Sequence, residues 1–196
     1  MPFQALPIYH KLKFLGQSDG NSIIVDAIHA QPKRQNKCRN RVIPGRFDTG
    51  MVNIGGGGKV GVTGNVANNV DQQRLNLHQG YRVVQVRVIF RLPNTAMHLF
   101  LAHRKPPRHL AYVEWFSPFP AAPEPGYLMY KVTRTIRDGQ RIASILPVQS
   151  FRRSVHLFPK CGPSIPQDWT SSTVLDESPG FLVSPFSDRN AYATIR

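Results

Sequence analysis

Residues 109–162 read HLAYVEWFSPFPAAPEPGYLMYKVTRTIRDGQRIASILPVQSFRRSVHLFPKCG, and this stretch decides the fold class. Three strand-like runs follow one another within it: Leu110 to Phe116, Leu128 to Ile136 and Gln140 to Leu146. Asp138-Gly139 separates the last two. That dipeptide supplies the two positive φ angles of a type I′ turn, so a tight hairpin is expected there. A strict two-residue turn pairs Thr135 with Ile142 and Arg134 with Ala143. In that register Arg134 shares a face with Tyr130, Val132 and Ile145, and Lys131 shares one with Ile142 and Leu146. Neither face is cleanly apolar, so either both faces are partly covered or a bulge or longer loop shifts the register.

Working outward, Arg82 to Arg91 (RVVQVRVIFR) alternates with period two. Val84, Val86, Val88 and Phe90 fall on one face, and Gln85, Arg87 and Arg91 on the other with Val83 and Ile89, the pattern of a half-buried antiparallel strand. Met97 to Ala102 is a short return strand and Ser154 to Phe158 a further one, with Gln149 to Arg153 as a 3₁₀-type turn before it. Short strands separated by turn signals predict a mostly-β fold, a small barrel or sandwich, and the strand–hairpin–short turn–strand order is similar to SH3-like barrels such as bromo-adjacent homology modules.

The N-terminal segment, 1–54, reads as a β extension. Tyr9 to Leu15 and Ser22 to His29 are β-type runs around the turn residues Gly16 to Asn21, and they form a separate hairpin or add to the later sheet. Phe47 to Ile54 is a short strand. Residues 55–80 begin with four glycines and match no phosphate-cradling loop, so they read as a flexible insertion. The core is placed in 81–162. The tail, 163–196, reads as a wrapping segment that lays Trp169, Phe181 and Phe186 onto the domain, or else as a tail ordered only by a partner. A short helix opens within it at Asp168 to Ser172 and runs through Leu175.

The chain has 196 residues, 25 Lys and Arg against 11 Asp and Glu, and a formal net charge of +14. Such an excess favours a polyanionic partner, nucleic acid first, with DNA preferred here over RNA. The alternative is a basic surface that is merely solvated. No apolar run approaches the roughly 20 residues of a membrane span, so no membrane partner is expected. The N-terminus lacks a charged region followed by an apolar core, so no secretory signal is expected. Cys38 and Cys161 are isolated and read as reduced intracellular thiols.

Two basic groups stand out. Lys33, Arg34, Lys37, Arg39 and Arg41 lie in QPKRQNKCRNRVIPGR (31–46), which carries no acid and reads as a phosphate-contacting arm or a solvated loop. Arg134, Arg137 and Arg141 flank the Asp-Gly turn, and Arg152 and Arg153 precede the last strand. A hairpin tip of this kind enters a groove or rides on phosphates. The plainer role is a charged edge that prevents strand pairing. Glu114 sits in an apolar strand. With Ala111, Val113 and Trp115 toward the core, Tyr112, Glu114 and Phe116 line the other face and offer a pocket for a cation such as methyl-lysine. The ordinary alternative is a cross-strand ion pair of Glu114 with Arg87 or Lys131.

The acids are scattered, and no histidine or cysteine spacing matches a metal site. No nucleophile elbow is present. The reading is non-catalytic, without cofactor or metal.

HLAYVEWFSPF, MYKVTR, ASILPVQSFRRSVHLFPKCG and DWTSSTVL…SPFSDRNAY resemble a segment of fungal transposon-derived proteins of the plavaka and Kyakuja-Dileera-Zisupton kind. YHKLKF, RFDT and RVVQVRVIF extend the resemblance from about Tyr9 to the end. In that family the segment lies beyond the catalytic region, and no position here matches the family's catalytic acids. The resemblance implies an accessory module of a transposase-derived protein that works in the nucleus, with other transposase or chromatin proteins as further partners. A protein-interaction or chromatin-reader barrel, or an inactive transposon remnant, is the alternative.

Overall fold

A computed structural model describes residues 5–17, 23–36, 38, 40–54, 80–96 and 107–184. The chain is mostly β. Its strands are β1 (Ile8–Tyr9), β2 (Lys11–Gln17), β3 (Ile23–Gln31), β4 (Arg34–Asn36), β5 (Arg41–Ile43), β6 (Arg46–Phe47), β7 (Thr49–Asn53), β8 (Tyr81–Arg91), β9 (His109–Trp115), β10 (Tyr130–Val132), β11 (Ile136–Arg137), β12 (Gln140–Arg141), β13 (Ala143–Pro147), β14 (Phe151–Ser154), β15 (Leu157–Pro159) and β16 (Phe181–Val183). A 3₁₀ turn spans Val148–Ser150, and a single-turn helix, α1, spans Val174–Glu177. The glycine-rich insertion over 55–79 and the return strand expected at Met97 to Ala102 lie outside the described residues, as does Phe186. Among the described residues, no helix is long and apolar enough to cross a membrane.

The central sheet has the order β13-β9-β8-β7-β14, with β1 pairing beside β7 along the length of β8. Every pairing in it is antiparallel. The 3₁₀ turn carries the chain from one outer strand, β13, to the other, β14; it starts one residue ahead of the expected Gln149 to Arg153, and Phe151 to Arg153 belong to β14 instead. Among the described residues this sheet and the smaller ones stay open, and none closes into a barrel. The run expected at Ser154 to Phe158 is divided instead. Phe151–Ser154 completes the central sheet, and Leu157–Pro159 belongs to the three-stranded sheet β10-β16-β15.

The central sheet is covered on both faces. On one, β2 and β3 form the expected hairpin, and β3 also pairs with β6. Ile28 and Ala30 of β3 pack there against Val52, Val84, Val86, Ile89, Ala111, Val113, Trp115 and Phe151. On the other, Val132 of β10 and Phe181 and Val183 of β16 pack with Met51, Val83, Phe116 and Val155. Phe116 meets Phe181 edge-to-face at 5.6 Å between ring centroids, the arrangement aromatic quadrupoles favour. Burying each such ring contributes about 1.5–3 kcal/mol.

Double coverage explains β8. Val83, Val84, Gln85 and Val86 are all buried, which a half-exposed strand would not allow. A register shift against β9 then falls between Val86 and Val88. It breaks the period of two, so Ile89 rather than Val88 joins Val84 and Val86 in the first core.

The Asp138-Gly139 turn forms as expected. Arg137 pairs with Gln140 across it, and φ is 52° at Asp138 and 74° at Gly139. The register conflict is resolved because the hairpin soon parts. Its outgoing arm becomes β13 and pairs with β9. Its incoming arm reaches back only through an isolated bridge, Arg134 to Phe116, before β10 joins the other sheet. The main chain of Trp115 lies in the fork, donating to the Ile142 carbonyl and accepting from the Thr135 N–H. The two arms therefore serve different cores, and neither needed one uniformly apolar face.

Candidate nucleic-acid interface

The basic loop is a β hairpin. β4 and β5 pair Arg34 with Ile43, Gln35 with Val42 and Asn36 with Arg41. Lys33, Arg34 and Arg41 are exposed on this arm, and among the described residues none has a carboxylate within ion-pair distance. Lys37 and Arg39 belong to its tip and lie outside the described residues. At its base, Asp48 accepts hydrogen bonds from the His29 backbone N–H at 2.9 Å and from Arg46 Nε at 2.9 Å, and lies 2.8 Å from His29 Nδ1. Burial raises the Asp48 pKa, but these donors outweigh it and hold the carboxyl below its ordinary value.

A cleft of about 410 Å³ opens beside the arm. Its lining includes Ile43, Pro44, Gly45 and Arg46 next to the arm, Phe47 and Gln85 of the strands, and Ser171, Ser172 and Leu175 of the C-terminal segment. The arm and the C-terminal segment thus share one opening.

The hairpin arginines separate into two groups. Arg134 and Arg141 turn inward to the sheet and meet Arg87 of β8. All three surround Glu114 and Asp176. Arg87 Nη2 lies 2.9 Å from Glu114 Oε2 and 2.6 Å from Asp176 Oδ1. Arg141 Nη1 lies 3.1 Å and 2.5 Å from the same two atoms. Arg134 reaches each carboxylate at 3.5 Å. Arg134 also donates to the Leu175 carbonyl at 2.5 Å and to Gln85 Oε1, and its guanidinium lies 4.3 Å from the centre of the Phe116 ring. Burial, together with the neighbouring Arg141 charge, lowers the Arg134 pKa to about 10. Burial also pushes the two carboxyls upward, but hydrogen bonds from Arg87 and Arg141 prevail and leave both below their ordinary values.

Arg137 and Arg152 are exposed. Arg153 is half-buried near Asp26, whose carboxylate accepts from the Ser154 N–H at 2.7 Å and from Ser154 Oγ at 2.6 Å. Of the residues considered for an aromatic pocket, Tyr112 is 40% exposed, Phe116 is 0% exposed within the second core, and Glu114 is held by the three arginines. Ala111, Val113 and Trp115 face the first core. The cross-strand partner weighed for Glu114 is found in Arg87.

Asp176 is not singled out by the sequence, because the order of β9, β12 and α1 along the chain gives no sign that they converge. Arg87 is the better signal, as a charge set between Val86 and Val88 in the middle of a strand. No protein-family model, curated protein or solved structure matches the chain.

Proposed function

We propose that the chain is a non-catalytic nucleic-acid-binding module, for DNA in preference to RNA, acting in the nucleus as an accessory part of a transposase-derived protein. The exposed arm carries the proposal. Its described cations have no carboxylate partner, while Asp26, Asp48, Glu114 and Asp176 are engaged within the fold and Glu124 pairs with Lys160 at the surface. The described cations of the arm are therefore presented outward rather than neutralised. A row of cations on a projecting hairpin suits the phosphate backbone of a duplex, where affinity comes from counterion release. The finer architecture we propose is SH3-like. The strand order β14-β7-β8-β9-β13, with a 3₁₀ turn before the last strand, supports it.

The deciding experiment is anisotropy of a labelled duplex with the whole chain over a salt series. The variant Lys33→Ala/Arg34→Ala/Arg41→Ala should flatten the log-affinity slope by roughly 2.7, about 0.9 per lost phosphate contact. An unchanged slope refutes the arm as the contact surface. The exposed pair Tyr112 and Ile145, which face each other across β9 and β13, favours a second reading as a protein-binding face. On that reading binding to a protein or peptide persists at salt that strips DNA from the arm.

A further inference from the structure

We propose that Arg87, Arg134 and Arg141 form a phosphate-binding site, which Asp176 occupies as an internal stand-in for the phosphate.

The two carboxylates in this cluster are not equivalent. Glu114 lies on β9, paired on both sides by β8 and β13, so it is a fixed part of the sheet. Asp176 lies on α1, four residues long with none of them buried, and its side chain is 37% exposed. The polar ties of α1 run to the same arginines. The Leu175 carbonyl accepts from Arg134, and the Asp176 carbonyl accepts from Arg141 Nη2 at 3.1 Å.

Three guanidiniums against two carboxylates leave one positive charge with α1 seated, and two with it displaced. Guanidinium forks bind phosphate as well as carboxylate, and phosphate offers more acceptor oxygens and more charge. The buried Arg87 Nε has no hydrogen-bond partner with Asp176 in place. A further acceptor oxygen would meet that donor.

Ser171, Ser172, Leu175 and Gln85 line the cleft beside the arm, and the cleft adjoins the cluster through Leu175 and Gln85, both bound to Arg134. A strand contacting the arm would therefore bring phosphates to the edge of α1. The proposal rests on the nucleic-acid reading for the source of the phosphate. The chemistry itself would also accept a free polyphosphate.

The test compares two full-chain variants, D176N and E177Q, each of which adds one unit of net charge. Glu177 is exposed on the same helix and has no contact with the cluster among the described residues. D176N should bind labelled duplex DNA about tenfold tighter than E177Q at equal salt, with a slope steeper by about one counterion. Adding Arg141→Gln should cancel the gain. Equal affinities for D176N and E177Q, with DNA still bound, overturn the site and leave the arm intact as the interface.

If the wild-type chain binds no DNA, the nucleic-acid reading fails and pyrophosphate decides the site alone. A pyrophosphate-induced thermal shift larger in D176N than in E177Q upholds it, and equal shifts overturn it. Should D176N not fold, the wild-type chain serves. Its pyrophosphate shift must then disappear on Arg141→Gln, and persistence of the shift refutes the site.

Discussion

The β4–β5 arm and the Arg87–Arg134–Arg141 cluster are two concentrations of positive charge that folding treats in opposite ways. On the arm, Lys33, Arg34 and Arg41 stand exposed on a short hairpin. In the cluster, Arg134 is only 7% exposed and its two neighbours share the same pair of carboxylates. Both regions are rich in arginine along the sequence. What separates them is whether another segment lies over the strand. α1 covers the cluster, and desolvation there turns charge into a structural demand. The arm keeps its water, so its charge costs little and remains available to a partner.

The largest consequence falls on Glu114. Replacing it with Leu leaves three guanidiniums around Asp176 alone, with the fixed centre of the network gone. Breaking a buried ion pair from one side costs about 3–5 kcal/mol, because the remaining charge is stranded away from water. Urea denaturation of Glu114→Leu should show a loss of that size. A loss under about 1 kcal/mol would mean that the cluster is solvated like the arm, and the contrast between the two regions would collapse.

Acid sharpens the same contrast. Glu114 and Asp176 both have folded pKa values below their ordinary ones of 4.5 and 3.8. For a carboxyl with a depressed folded pKa, the stability it contributes is fully present above the unfolded value. It is lost as pH falls through the folded value. The urea midpoint should therefore hold steady from about pH 7 to about pH 5 and fall below about pH 4. Glu114→Leu should show a shallower acid decline, and what remains is the share of Asp176, Asp26 and Asp48, whose pKa values are also lowered. The arm carries no carboxylate and adds nothing to this decline. An equally steep decline in wild type and Glu114→Leu would remove the cluster as its source.

Much of the fold is legible in the sequence wherever the signal is local. The Asp138-Gly139 turn, the inward Ala111, Val113 and Trp115, and the strand from Tyr81 to Arg91 all follow from backbone preference and period two. The failures have a common physical origin in coverage by distant segments. Period two along β8 cannot show the shift beside Arg87, because that shift is defined by the pairing with β9. Nor can a hairpin pattern show that its two arms part at Trp115. The candidate site divides in the same way. The arm is readable as a basic stretch with no acid in it. The inward turn of Arg134 and Arg141 depends on Asp176, 42 and 35 residues away in sequence, and no local pattern carries that.

The smallest expected effect is the most exacting test of the comparison. Lys33→Ala/Arg34→Ala/Arg41→Ala removes three positive charges from the arm, as many as the cluster contains. If those cations are held only by water, their loss should change unfolding stability by no more than about 0.5 kcal/mol, the usual range for exposed substitutions. Relief of like-charge repulsion in a chain of net charge +14 would even favour a slight gain. A loss above about 1 kcal/mol would show that the arm's charges help to hold the fold, as the cluster's do. Stability left unchanged while the DNA salt slope flattens would separate the two roles in one variant, since a residue that binds a partner without supporting the fold must show both results.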